Sequence, residues 1–389
     1  MSGEADGVLI VGGGPAAQAA AGAYRGAGGE GPVTIVSAEL EPPYQRPPLT
    51  KEYLRGESGR GDLAIEPPDW YRDHEIELVL GATVAELDLD AGTARSEEGR
   101  EFGFGRCLLA TGARPLVPEI SGADGPDVRL MRTIADSEQL MALADSRVLV
   151  VGSGFIGCEA AASLAILGAE VKLATLEASP QVERLGAEVS ERIRAWLDQQ
   201  GVELVAAASL AEISAERSGA LGRFEDSRTV AADAVLLALG IARNDGLAAD
   251  AGLEVDDGVP VDAAMRSAHP RLLAAGDVAR AENAAAGRRL AVEHWAEALN
   301  QGEVAGRTLA GEEASWAVAP GFWTTIGART LKYAGWGDGW DEVRFEAGAS
   351  DAFTAWYGRD GELVGVLACE RDEDYEAGKE QIEERAPWS

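Results

Sequence analysis

Val8-Leu9-Ile10-Val11-Gly12-Gly13-Gly14-Pro15-Ala16-Ala17 stands near the start of the sequence. Val148-Leu149-Val150-Val151-Gly152-Ser153-Gly154-Phe155-Ile156-Gly157 repeats its plan about 140 residues later. Each is a short apolar strand running into G-x-G-x-x-G/A with a helical pattern behind it. Glycine permits the tight turn and close backbone approach, and the following helix N-terminus faces a pyrophosphate. Two such motifs in the right setting imply two nucleotide cofactors in one α/β chain.

Working outward, residues 8–11 and 33–36 read as neighbouring parallel strands joined by an alanine-rich helix, Ala16–Gly26. Glu39 follows the second strand, where an acidic residue meets an adenosine ribose. The proline-rich segment Glu41–Lys51 cannot be a regular helix. Cys107–Leu109 is a short buried strand leading to Ala110-Thr111-Gly112. A second βαβ unit holds the Gly152–Gly157 loop and a helix over Cys158–Leu167, and ends on the strand Ala234–Gly240. Leu272–Asp277 reads as strand, turn and aspartate, and Trp295–Leu309 has helical periodicity. From residue 316 apolar and polar residues alternate, as antiparallel strands require. The expected division is 1–117, 118–243, 244–315 (a return to the first domain) and 316–389.

The 389 residues carry a formal charge of -32, which argues against nucleic acid or an anionic membrane as partner. No run of 18 or more apolar residues occurs, and Met1–Gly7 is too short and acidic for a signal peptide. Cys107, Cys158 and Cys369 form no close pair, which suits a reducing cytoplasm. They and the scattered His74, His269 and His294 give no metal site. The acidic run Glu370–Asp374 reads as solvated surface.

Tyr44-Gln45-Arg46-Pro47-Pro48-Leu49-Thr50-Lys51 is similar to the Y-x-R-P-P-L-S-K segment of the two-dinucleotide flavoprotein reductases, ferredoxin-reductase type. These are the reductase components of Rieske oxygenase and cytochrome monooxygenase systems. Ala110-Thr111-Gly112, Glu159 behind the second loop, Leu239-Gly240, Ala275-Gly276-Asp277 and Phe322-Trp323 extend the resemblance over nearly the whole chain. It implies two Rossmann-like, glutathione-reductase-like domains and a C-terminal α+β domain with an antiparallel sheet. It also implies FAD and NAD(P)H as cofactors, a ferredoxin-like iron–sulfur protein as electron acceptor, and a monomer or homodimer.

By that resemblance Gly12, Gly14, Pro15, Ala16 and Ala17 hold the FAD pyrophosphate, and Glu39 holds the adenosine ribose. Arg46 and Lys51 line the flavin, and Val84 touches the adenine by its backbone. Ala110, Thr111, Gly112 and Arg132 complete the wall, and Gly276 and Asp277 reach the ribitol. Glu293, His294 and Trp295 bring a helix N-terminus to the pyrimidine end of the flavin, and Trp323 stands near its face. Gly152, Gly154, Phe155, Ile156, Thr175, Glu177 and Gly240 take the nicotinamide dinucleotide. Lys51 and Glu159 are the expected catalytic pair beside the hydride-accepting atom.

Residues 40–52 hold no cysteine, so a reduced flavin has no thiol to receive its electrons. They pass outward to a protein acceptor, or to oxygen or a quinone; the latter makes the chain an oxidase or quinone reductase. A non-catalytic FAD module is disfavoured by Lys51, Glu159 and the intact second fingerprint. The chain departs from the family at Thr324-Thr325-Ile326, where Ser-Asp-Gln is usual, and at Thr175, where a glutamate is usual. Arg184 is the nearest arginine to Thr175, so no cluster awaits a 2′-phosphate, and NADH is the expected donor. Trp336, Trp340 and Trp356 read as packing. Arg307, Arg329, Lys332 and Arg344 are the candidate basic docking face.

Overall fold

The computed structural model describes residues 7–388, so Met1–Asp6, most of the stretch read for a signal peptide, lies outside the described residues. Five parallel strands form the first sheet, in the order Leu272–Ala274, Arg106–Leu109, Val8–Val11, Val33–Ser37, Ile76–Leu80. Val8–Val11 is central and buried along its whole length, as a strand covered on both faces must be. The helix Pro15–Gly26 covers it, with proline in the first turn. Trp295–Leu309 crosses that helix at very short range. A Cβ on Gly306 would come within 2.2 Å of the Ala20 carbonyl oxygen, so only glycine allows the approach. That crossing fixes the N-terminus of the long helix against the first glycine loop.

The second sheet repeats the arrangement, in the order Glu203–Val205, Glu170–Ala174, Arg147–Val151, Ala234–Leu237, Val128–Arg129, again all parallel. Its helix runs Phe155–Ile166 rather than Cys158–Leu167, because it starts directly after Gly154. Phe155 and Ile156 therefore sit in the first turn, where the backbone N–H groups are free.

The third sheet is antiparallel, in the order Gly321–Ile326, Arg329–Gly335, Glu362–Cys369, Phe353–Arg359, Glu342–Ala347. The acidic run Glu370–Asp374 has no buried residue, as a solvated surface requires, and it leads into a helix, Asp372–Glu383, that buries Gly378 and Ile382 against this sheet. Its acids Asp372, Glu373 and Asp374 occupy the first turn, where the helix dipole favours them. One apolar core joins Tyr44 and Leu49 of the proline-rich segment, and Leu54 just after it, to the second dinucleotide unit and to Phe353, Tyr357 and Leu367. The second and third large sheets thus meet at this segment, which carries a short 3-10 turn, Pro47–Thr50.

Candidate active site

A cavity of about 1240 Å³ runs between the two glycine loops. A single small-molecule site occupies roughly 300–1,000 Å³, so there is room for more than one ligand. At one end Gly12 has φ +122, and a Cβ there would stand 2.1 Å from the Ala110 carbonyl oxygen. Gly14 and Gly154 face open space, with nothing within 4 Å of where a Cβ would be. Each sits immediately before a helix, so backbone N–H groups and a helix dipole point into the cavity. The residues present fit two dinucleotides bound through their phosphates.

Gly12, Gly14, Pro15, Ala16, Glu39, Arg46, Lys51, Val84, Ala110, Thr111, Gly112, Arg132, Gly276, Asp277, Glu293, His294, Trp295 and Trp323 all line this cavity. So do Gly154, Phe155, Ile156, Glu159 and Gly240. Ala17 is fully buried behind the first loop. Gly152, Thr175 and Glu177 are not on the wall. Thr175 is buried, and its hydroxyl is 2.7 Å from that of Ser153 while accepting from the Glu177 N–H at 3.2 Å.

Toward one end of the cavity Glu39 is already partnered. Its Oε1 pairs with Arg46 Nη2 at 2.6 Å, and Tyr44 donates to its Oε2 at 2.6 Å. Burial, with Glu39 alongside, pushes the Tyr44 phenol up, so it stays a donor. Arg46 also donates to the Arg132 carbonyl at 2.7 Å, and Arg132 pairs with Asp277 at 2.8 Å. Arg243 was not legible from sequence. It donates to the Asp277 carbonyl, pairs with Glu293 at 3.1 Å and has a side chain only 3% exposed. Burial raises the Glu293 carboxyl despite that partner. It pushes His294 down to about 4, helped by Arg184, so the ring is neutral near pH 7.

At the centre Lys51 Nζ lies 2.7 Å from Glu159 Oε2, and both side chains are 6% exposed. Thr50 Oγ1 donates to the same oxygen at 2.5 Å. Thr324 Oγ1 and the Thr325 N–H donate to Glu159 Oε1 at 2.8 and 3.2 Å. The carboxylate is therefore held by four donors from two other parts of the fold. The Thr-Thr departure, read from sequence as a lost acid, supplies two of them. Phe155 and Phe322 meet with centroids 4.4 Å apart, and the Arg184 guanidinium lies over both rings.

Trp340 donates to the Arg184 carbonyl, Trp356 is buried, and Trp336 packs against two apolar cores while also lining the cavity. One sequence reading needs correction. The basic docking face does not form. Arg307 pairs with Glu312, Arg329 with Asp351 and Glu370, Lys332 with Asp372, and Arg344 with Glu346. None of the four lines the cavity, and each cation has drawn a local carboxylate from the acidic surplus.

Residues 6–302 match the family described as pyridine nucleotide-disulphide oxidoreductase, and residues 321–389 match the reductase C-terminal family. The chain is 31% identical to the ferredoxin--NAD(P)(+) reductase fdr of Sphingomonas sp, over 97% of this chain and 93% of that protein. It is 33% identical to the anthranilate 1,2-dioxygenase system ferredoxin--NAD(+) reductase component of Burkholderia cepacia, over 97% and 94%. Among solved structures, the covalent putidaredoxin reductase–putidaredoxin complex matches with a TM-score of 0.92 at 28% identity, covering 98% of this chain and 94% of that chain.

Proposed function

The chain belongs to the pyridine nucleotide-disulphide oxidoreductase family, and on that premise we propose that it is an FAD-dependent NAD(P)H reductase serving a ferredoxin-like iron–sulfur protein. FAD, when bound, supplies the ability to accept a hydride and release electrons singly. The observation that carries the proposal is the buried Lys51–Glu159 pair between the two cradles, with no cysteine in residues 40–52. A thiol relay has no place to start, so electrons leave the protein directly.

In this reading Gly12 to Ala17 and the helix N-terminus at Pro15 neutralise the FAD pyrophosphate. Glu39, Val84 and Arg46 take the adenosine side, and Thr111, Gly112, Arg132 and Asp277 the ribitol side. The helix beginning at Trp295 would bring its positive end to the pyrimidine ring of a bound flavin and would favour negative charge there. Gly154, Phe155, Ile156 and Gly240 receive the nicotinamide dinucleotide, with Thr175 and Glu177 setting back its adenosine end. Lys51 keeps a positive charge where the hydride arrives, and Glu159 holds that ammonium in place. We assign 1–117 and 244–315 to the FAD domain, 118–243 to the NAD(P) domain and 316–389 to the interface domain. We place the protein in the cytoplasm: its three cysteines are free and buried, and among the described residues no helix is long and apolar enough to cross a membrane.

Ferredoxin, a quinone and oxygen offered as acceptors in one NADH assay test the proposal. Ferredoxin-coupled cytochrome reduction is expected to exceed the other two. Faster turnover on oxygen or quinone would instead make the chain an oxidase or quinone reductase.

A further inference from the structure

We infer that Thr324 is a positioning residue for hydride transfer: it fixes Glu159 so that Lys51 keeps its place between the two cradles. The inference rests on the function proposed above and assigns a role to a strand of the C-terminal sheet.

Thr324 lies on Gly321–Ile326, whose buried positions alternate through Phe322, Thr324 and Ile326. Two of these inward positions are apolar, as the pleat demands. A hydroxyl at the third, with no exposed surface, must find a partner inside the protein. It finds Glu159 Oε1 at 2.8 Å. Gly321–Ile326 is also the edge strand of its sheet, so alternate N–H groups have no strand to pair with. The Thr325 N–H uses that freedom to reach the same oxygen at 3.2 Å.

The two oxygens of Glu159 are thus divided. Oε2 receives Lys51 and Thr50, and Oε1 receives Thr324 and Thr325. A carboxylate offers about four acceptor positions, so this one is saturated and cannot swing without breaking a bond. Removing the Thr324 hydroxyl leaves Oε1 with only the longer backbone contact. The carboxylate is then held less firmly at that oxygen, and the Lys51 ammonium can shift with it. Small displacements of positioned groups are costly in rate, because reaction needs a narrow range of geometry.

The test compares Thr324→Val, which keeps the shape, with Thr324→Ser, which keeps the hydroxyl, as FAD-loaded proteins. Stopped-flow flavin reduction is followed across a range of NADH concentrations. Thr324→Val is expected to lower the limiting rate about 10-fold, with the half-saturating NADH concentration little changed, and Thr324→Ser to stay within about 2-fold of wild type. Should the valine variant lose FAD, the same comparison is read on Thr324→Ala. A second readout needs no turnover: urea midpoints of Thr324→Val, Glu159→Ala and the double variant should be coupled, the double shift falling short of the sum. A wild-type limiting rate in Thr324→Val, equal losses in valine and serine variants, or additive urea shifts each overturn the inference. Lys51→Ala separates the two levels. If it slows reduction while Thr324→Val does not, only the inference fails; if it too reduces at the wild-type rate, the proposed function of the pair fails.

Discussion

The hydroxyls of Ser153 and Thr175 lie 2.7 Å apart, closing the end of the strand Glu170–Ala174 where an acid or a basic cluster would read the adenosine ribose. Thr175 is buried and also accepts from Glu177, so it has nothing to offer a ligand. The next acid, Glu177, accepts from the Glu183 N–H at 3.3 Å, beside the start of a short helix. A 2′-phosphate there would meet a carboxylate and no arginine, since Arg184 is turned onto Phe155 and Phe322. NADH is expected to be preferred over NADPH by at least ~10-fold in kcat/KM, about 1.4 kcal/mol. Glu177→Ala should narrow that ratio. A preference for NADPH in steady-state kinetics would contradict the reading of this corner.

Splitting the central ion pair is expected to be asymmetric. Without Lys51, Glu159 keeps Thr50, Thr324 and Thr325 as donors. Without Glu159, the Lys51 ammonium keeps, among the described residues, Thr50 Oγ1 alone, at 3.4 Å. An uncompensated buried charge costs about 3–5 kcal/mol. Glu159→Ala should approach that loss in urea unfolding, and Lys51→Ala should fall clearly short of it. Both should still bind FAD, whose pyrophosphate cradle lies elsewhere. Equal losses would show that the three hydroxyl and amide donors do not sustain the carboxylate.

The two cradles and their sheets were legible because each imposes a steric demand that only particular residues meet. Gly12 and Gly152 show it directly, having positive φ and a carbonyl oxygen where a Cβ would stand. The small sheets Val84–Gly103 and Leu210–Ala232 were not legible. Their strands run only 3 to 6 residues, too short for an alternation to stand out. Asp372–Glu383 escaped because only Gly378 and Ile382 of its twelve residues are buried. At the site, the family resemblance pointed to Lys51 and Glu159. Nothing in a linear sequence tells which oxygen of Glu159 a threonine 165 positions away will reach. Arg243 was hidden likewise, because its partners Asp277 and Glu293 come from 34 and 50 positions on.

His294 gives a pH dependence of known sign. Its folded value is about 4 against an ordinary 6.5, with burial the main cause. Above pH 6.5 both folded and unfolded chains hold it neutral, and it contributes no pH dependence. As pH falls from 6.5 toward 4 the unfolded chain takes up the proton and the folded chain does not, so stability falls, by up to ~1.4 kcal/mol per pH unit. His294→Asn should remove that component. Urea midpoints at pH 7, 6 and 5 measure it: the gap between variant and wild type should shift in the variant's favour as pH drops. A pH-independent gap would mean that the ring takes up its proton as readily in the folded protein as in the unfolded chain, and a gap moving in the wild type's favour would mean that the fold holds it protonated.

An acidic iron–sulfur partner must approach a chain of net charge -32. Long-range fields between two acidic proteins repel, so the ferredoxin-coupled rate should rise as salt approaches ~0.15 M and the screening length shortens to about 8 Å. A dedicated basic patch would reverse the trend at higher salt. Arg307, Arg329, Lys332 and Arg344 do not make one, since every one of them is held by a neighbouring carboxylate. Exposed pairs of this kind contribute about 0–1 kcal/mol and leave little net field for a partner to feel. Changing each to glutamine should therefore leave ferredoxin-coupled cytochrome reduction within about 2-fold of wild type at every salt concentration. A loss of 10-fold or more in any one, confined to low salt, would show that the partner displaces the local carboxylate and that the cation does take part in docking.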